Sequence, residues 1–105
     1  MFLIAILALA HAPPGYICNY ARIRPVSQHG GVAVYATPST GAGRIKTLKA
    51  GNDVYICDEA KEWIEVRFRA AGHPCPGTRN GLSVRRAASC MKGWVRKSQV
   101  NVMSG

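Results

Sequence analysis

Between residues 31 and 68 the apolar positions recur at roughly every second residue, in four short runs at 32–36, 45–48, 54–57 and 63–68. The breaks between runs hold turn-forming or polar residues: Pro38-Ser39-Thr40-Gly41, then Ala50-Gly51-Asn52-Asp53, then the polar stretch 58–62. A period of two turns successive side chains to opposite faces, whereas an amphipathic helix needs a period near 3.6. The pattern therefore predicts short antiparallel strands folded into a small barrel or sandwich. In the last run Ile64, Val66 and Phe68 are expected to face inward. Trp63, Glu65, Arg67 and Arg69 then face outward.

The flanks extend this reading. Residues 16–23 (YICNYARI) form a first strand with Tyr16, Cys18 and Tyr20 on one face, ended by Pro25, which has no amide hydrogen to donate. The Gly30-Gly31 pair permits a sharp reversal before the central stretch. Beyond Phe68 the alternation fails, and Gly72, Pro74, Pro76 and Gly77 around Cys75 mark a loop over 69–80. Residues 82–88 read as a short strand or an irregular arm, 93–95 as a compact strand, 97–99 as a 3₁₀ turn and 100–103 as a last short strand.

A chain of 105 residues is enough for one domain. A domain of this size buries only about 60–65% of its unfolded surface, so cross-links matter to it. Four cysteines are present (Cys18, Cys57, Cys75 and Cys90) with no Cys-x-x-Cys pair, which favours disulfides over a zinc or thioredoxin-like site. They allow three pairings. Cys75 with Cys90 staples the irregular insertion, and Cys18 with Cys57 then ties the N-terminal strand to the barrel; this arrangement is preferred, and the other two remain open. Each bridge is expected to contribute about 2–4 kcal/mol. Residues 1–10 (MFLIAILALA) are almost wholly apolar, too short to span a bilayer, and read as the core of a secretory leader. Small residues place cleavage after Ala10, or alternatively after Ala12, although no Lys or Arg precedes the apolar run. The expected organisation is a leader over 1–10 (or to 12), an N-terminal strand and linker over 11–31, and a barrel over 32–105, exported and without a transmembrane segment.

Charge sharpens the picture. Fourteen Lys and Arg stand against five Asp and Glu, a formal net charge of +9. All five acids (Asp53, Asp58, Glu59, Glu62 and Glu65) fall in one window, and from Arg67 onward there are eight basic residues and no acid. Such a field attracts anionic partners. Nucleic acid fits the charge but conflicts with export.

The order of elements resembles the bacterial SH3 domain family. The resemblance rests on Val32-Ala33-Val34-Tyr35-Ala36-Thr37-Pro38-Ser39, then Ile45-Lys46-Thr47-Leu48-Lys49-Ala50-Gly51, then Val54-Tyr55-Ile56-Cys57, Glu62-Trp63-Ile64-Glu65-Val66 and Gly93-Trp94-Val95. Cys57 and the run Cys90-Met91-Lys92-Gly93-Trp94-Val95 are similar to a disulfide-containing secreted subgroup. The sequence departs from the pattern at Tyr35, at Thr37 and in the length of 69–90. The resemblance implies an all-β fold, a small SH3-like barrel of five to seven short antiparallel strands with a disulfide-stapled loop insertion. It also implies a bacterial periplasmic or secreted setting and a ligand groove lined by aromatics, for which Tyr35, Tyr55 and Trp63 are the candidates, with Trp94 assigned to the core. Arg67, Arg85, Arg86 and Lys97 would add a cationic rim.

Catalysis finds little footing. There is no Gly-x-Ser-x-Gly, His-Glu-x-x-His or glycine-rich phosphate loop. His73 lies close to Cys75, but a nucleophile needs a free thiolate and the disulfide reading removes it. No catalytic residue, metal or cofactor is expected. Two functions stay in play. One is a cell-wall-binding module for an anionic envelope ligand such as peptidoglycan or lipopolysaccharide. The other is a small secreted inhibitor or immunity protein masking an acidic protein, for which a stapled, protruding, basic loop over 69–90 would be the sign.

Overall fold

The computed structural model describes residues 16–25 and 31–103, and the leader expected at 1–10 or 1–12 lies outside them. Among the described residues eight strands follow one another: β1 (Ile17–Ile23), β2 (Val32–Tyr35), β3 (Arg44–Leu48), β4 (Asp53–Ala60), β5 (Trp63–Phe68), β6 (Leu82–Ser83), β7 (Met91–Arg96) and β8 (Val100–Val102). Two 3₁₀ turns, Arg86–Ser89 and Lys97–Gln99, flank β7. Every pairing is antiparallel, in the order β3-β2-β7-β5-β4-β1-β6, with β8 also on β1. The protein is all-β, as its alternation requires. The strand count is eight rather than five to seven, because the arm and the C-terminal end each add a strand of three residues or fewer.

The sheet curls without closing: β3 at one edge pairs with neither β6 nor β8 at the other. The curl follows from the core. Val32 and Leu48 from one edge share a single buried cluster with Ile23 and Val100 from the other, through Val54, Ile64, Val66, Phe68 and Val95. Residues so far apart across a flat sheet would not meet, since each strand adds about 4.8 Å of width. The turn after β3 narrows the gap, with the Gly51 amide donating to the Ile23 carbonyl at 2.8 Å and the Ile23 amide to the Asn52 carbonyl at 3.0 Å. The β3 edge is blunted by an irregular register between Val34 and Tyr35 and by exposed Arg44 and Lys46, devices that discourage strand addition.

β1 is not an appendage. It lies between β4 on one side and β6 with β8 on the other. It also faces two cores. Ala21 and Ile23 enter the main cluster, whereas Cys18 and Tyr20 enter a second one with Tyr55, Cys57, Cys75, Leu82, Ala87 and Cys90. That second cluster lies where residues 69–90 fold down over the outer face of β1 and β4. The Cys18–Cys57 bridge (Cα–Cα 4.5 Å) crosses directly between paired strands at the next position of their register, and Cys75–Cys90 (4.6 Å) cinches the arm.

The polar stretch 58–62, expected as a turn, is mostly strand. β4 runs on to Ala60, and the turn shrinks to Lys61-Glu62, with Lys61 left-handed at φ 57°. A register shift between Ile56 and Asp58 inserts Cys57 as an extra residue. This bulge frees Cys57 from the ladder with β5 and leaves it buried beside Cys18.

Candidate functional site

Strand register decides what the outer face of β2, β7 and β5 carries. Tyr35 pairs with Trp94 and Trp94 with Glu65, while Arg96 lies opposite Trp63. Alternation does turn Trp63 away from Ile64 and the main core, yet Trp63 is only 9% exposed. Two side chains bury it. The Tyr35 ring meets it edge-on at 5.7 Å between centroids, and the Arg96 guanidinium lies 4.6 Å above its face. Arg96 is itself held by Glu62 at 3.3 Å. Trp63 is thus a packed outer-face residue, not an open groove wall. Trp94, assigned to the core by sequence, is half-buried on this same face, because Gly93 and Val95 occupy the inward positions of β7. Arg96 is the residue the sequence reading missed; its place two positions after Trp94 on one strand was the available signal.

The other candidates separate. Tyr55 is buried under the arm, 5.8 Å from the Tyr20 ring, and Gly77 lies so close that a β-carbon there would collide with the Tyr55 ring. Burial, and after it the charge of Asp53, pushes the Tyr55 hydroxyl above the ordinary tyrosine value of 10.0. Arg67, expected on a cationic rim, is a strut. It donates to the Ala87 carbonyl at 3.0 Å and to Glu65 at 3.4 Å, with 15% of its side chain exposed. It therefore fastens the arm to β5. Lys97 is exposed but engaged with Glu59. Arg85 and Arg86 are exposed and bear no carboxylate partner among the described residues.

The charge ledger follows. Asp53 pairs with Arg22, Glu65 with Arg67, Glu62 with Arg96 and Glu59 with Lys97, so four of the five acids are engaged. Those pairs engage four of the fourteen Lys and Arg, which leaves ten without a carboxylate partner among the described residues. Four of the ten (Arg69, Arg79, Arg85 and Arg86) ride on the arm, and Arg44, Lys46 and Lys49 lie along and just after β3. The arm does not protrude. Its own Leu82 and Ala87 are buried against β1 and β4, its start is closed by paired backbone hydrogen bonds between Ala70 and His73, and Ser89 Oγ donates to the Pro74 carbonyl at 2.7 Å.

Among the described residues no three His, Cys, Asp or Glu side chains gather as a metal site, and no helix is long and apolar enough to cross a membrane. Comparison with family models, with curated proteins and with solved structures found no match.

Proposed function

We propose that this protein is a non-catalytic binding module of the bacterial SH3 type, working outside the cytoplasm, whose arm grips an anionic polymer of the cell envelope such as peptidoglycan. The observation that carries the reading is the set of unpartnered arginines on a docked arm. Four of the five acids form ion pairs in the β4–β5 hairpin and its surroundings, and none of the five lies on the arm. The arm's guanidiniums keep their charge for a partner. Two disulfides support an oxidising compartment, since such bonds persist there and are rare in reducing cytosol. A preformed basic surface binds without first ordering a flexible loop, a cost that association otherwise bears. A surface packed flat suits a polymer lying along it better than it suits insertion into a partner's cleft, so the envelope reading is preferred to the inhibitor reading.

Sedimentation with purified sacculi tests this. The protein is expected to pellet with sacculi at low salt. It should be released as the screening length falls from about 30 Å at 0.01 M to about 3 Å at 1 M. A protein that stays in the supernatant at 0.01 M salt overturns the proposal. Recovery of one acidic protein in equal stoichiometry from a periplasmic extract would move the assignment to the inhibitor class.

A further inference from the structure

A cavity of about 360 Å³ opens between the turn after β3 and the start of the arm. The nearly buried core residues Leu48 and Phe68 close its floor, and Asp53, Tyr55 and Arg69 bring polar groups to its walls. We propose that this cavity binds an α-amino-acid zwitterion, with the ligand's ammonium toward Asp53 and its carboxylate toward Arg69 and the Tyr55 hydroxyl.

The argument starts from two opposite charges that share one cavity and do not pair. No ion pair joins Asp53 to Arg69, and the Arg69 guanidinium has neither a side-chain hydrogen bond nor a carboxylate partner among the described residues. Asp53 is oriented from behind: its Oδ1 accepts from the Tyr20 hydroxyl at 2.7 Å and lies 3.5 Å from Arg22 Nε. Among the described residues its Oδ2 accepts no side-chain hydrogen bond. Both charges are felt at the Tyr55 hydroxyl, which Asp53 pushes toward its neutral form and Arg69 pulls the other way. That hydroxyl makes no side-chain hydrogen bond among the described residues, although most of its ring is buried.

A simple anion entering here is attracted by Arg69 and repelled by Asp53. A simple cation meets the reverse. A ligand carrying both charges satisfies both walls, as an ammonium and a carboxylate on one carbon do, with Arg22 occupying only the Oδ1 side of Asp53. Gly77 packs its backbone directly against the Tyr55 ring, where a β-carbon would lie 2.3–2.7 Å from ring and hydroxyl atoms, and so holds the hydroxyl in place at the cavity wall. Of the arm's four unpartnered arginines only Arg69 lines this cavity; Arg79, Arg85 and Arg86 do not, so substitutions at those three test the polymer contact without touching this site.

Amide chemical-shift titration of the disulfide-intact protein with L-leucine is the test, with 4-methylpentanoate (no ammonium) and leucinamide (no carboxylate) as the single-charge probes. Leucine should give saturable shifts at 52–55, 69 and 75–77 with a millimolar dissociation constant, and each single-charge probe should bind at least about tenfold more weakly. Arg69→Gln removes a side chain with no intramolecular partner, so the fold is expected to persist and leucine binding to weaken by at least about fivefold. Asp53→Asn, checked for folding by its own spectrum, should do the same and abolish the preference for leucine over 4-methylpentanoate. Absence of saturable shifts, or equal binding of leucine and 4-methylpentanoate to the unsubstituted protein, overturns the assignment.

Discussion

Replacing Trp63 with alanine separates burial from exposure at the residue where local pattern and structure diverge. A tryptophan side chain removes about 150–250 Å² from water, worth roughly 4–6 kcal/mol at about 25 cal/mol per Å². Residual structure in the unfolded chain lowers that by about 10–40%. The edge contact with Tyr35 adds about 0.5–1.5 kcal/mol. Arg96 over the ring adds about 0.5–1 kcal/mol, at the low end because 45% of its side chain is exposed. Trp63 lies on the outer face, so the hole left by truncation opens to solvent and Tyr35 can settle into it. The expected loss is therefore about 3 kcal/mol, at the lower end of the range for buried aromatics. For a domain near this size each kcal/mol moves the melting temperature by about 4–8 °C, so calorimetry with both disulfides intact should show a fall of more than about 10 °C. Combining Trp63→Ala with Tyr35→Ala should reveal a coupling of about 1 kcal/mol. A fall of only a few degrees would put Trp63 in solvent, where alternation alone would leave it, and would refute the packing described here.

Loop closure ranks the two bridges. Converting Cys18 and Cys57 to alanine opens a separation of 39 residues and should cost about 4 kcal/mol, whereas the Cys75 and Cys90 pair, separated by 15, should cost about 3; denaturant midpoints in the opposite order would contradict this. Because the Tyr55 hydroxyl titrates above 10.0 in the folded protein, the unfolded chain loses its proton first as pH rises. The stability linked to Tyr55 is thus intact below pH 10.0 and declines above it. Tyr55→Phe should flatten the decline, and an unchanged slope between the two proteins in alkaline denaturant titrations would count against the buried setting. Arg67→Met should speed amide exchange at 87–90 by about tenfold while leaving sacculus binding intact; the reverse pattern would return Arg67 to the rim.

Much of the fold is written locally. The β-branched and aromatic alternation of Ile64, Val66 and Phe68 places those side chains inward without reference to any distant residue. Pro25 and the Gly51-Asn52 turn mark where strands stop. What escapes local reading is set by residues far away in the chain. The polar run at 58–60 looks like a turn, but the bulge at Cys57 and pairing with β5 carry it into a strand. Alternation gives the face of Trp63 but says nothing of Tyr35 and Arg96 arriving from other strands to cover it. The candidate rim divides for the same reason. Arg67 and Lys97 look identical in kind to Arg85 and Arg86 in sequence; Glu65 lies beside Arg67 on its own strand, but only tertiary neighbours bring the Ala87 carbonyl to Arg67 and Glu59 to Lys97. The cavity joins the turn after β3 to the arm, so no window of sequence contains it.

The central claim is that the placement of charge on the docked arm, and not the total, makes the binder. Two triple variants remove the same charge from different places. Arg79, Arg85 and Arg86 to glutamine lowers the formal net charge from +9 by three, as does Arg44, Lys46 and Lys49 to glutamine. All six residues are exposed and free of ion pairs among the described residues, so both variants should fold. In sacculus sedimentation at low salt the arm variant is expected to lose at least about tenfold in affinity, equivalent to about 1.4 kcal/mol, and the β3 variant to stay within about threefold of the parent. Equal losses in the two variants would contradict the account.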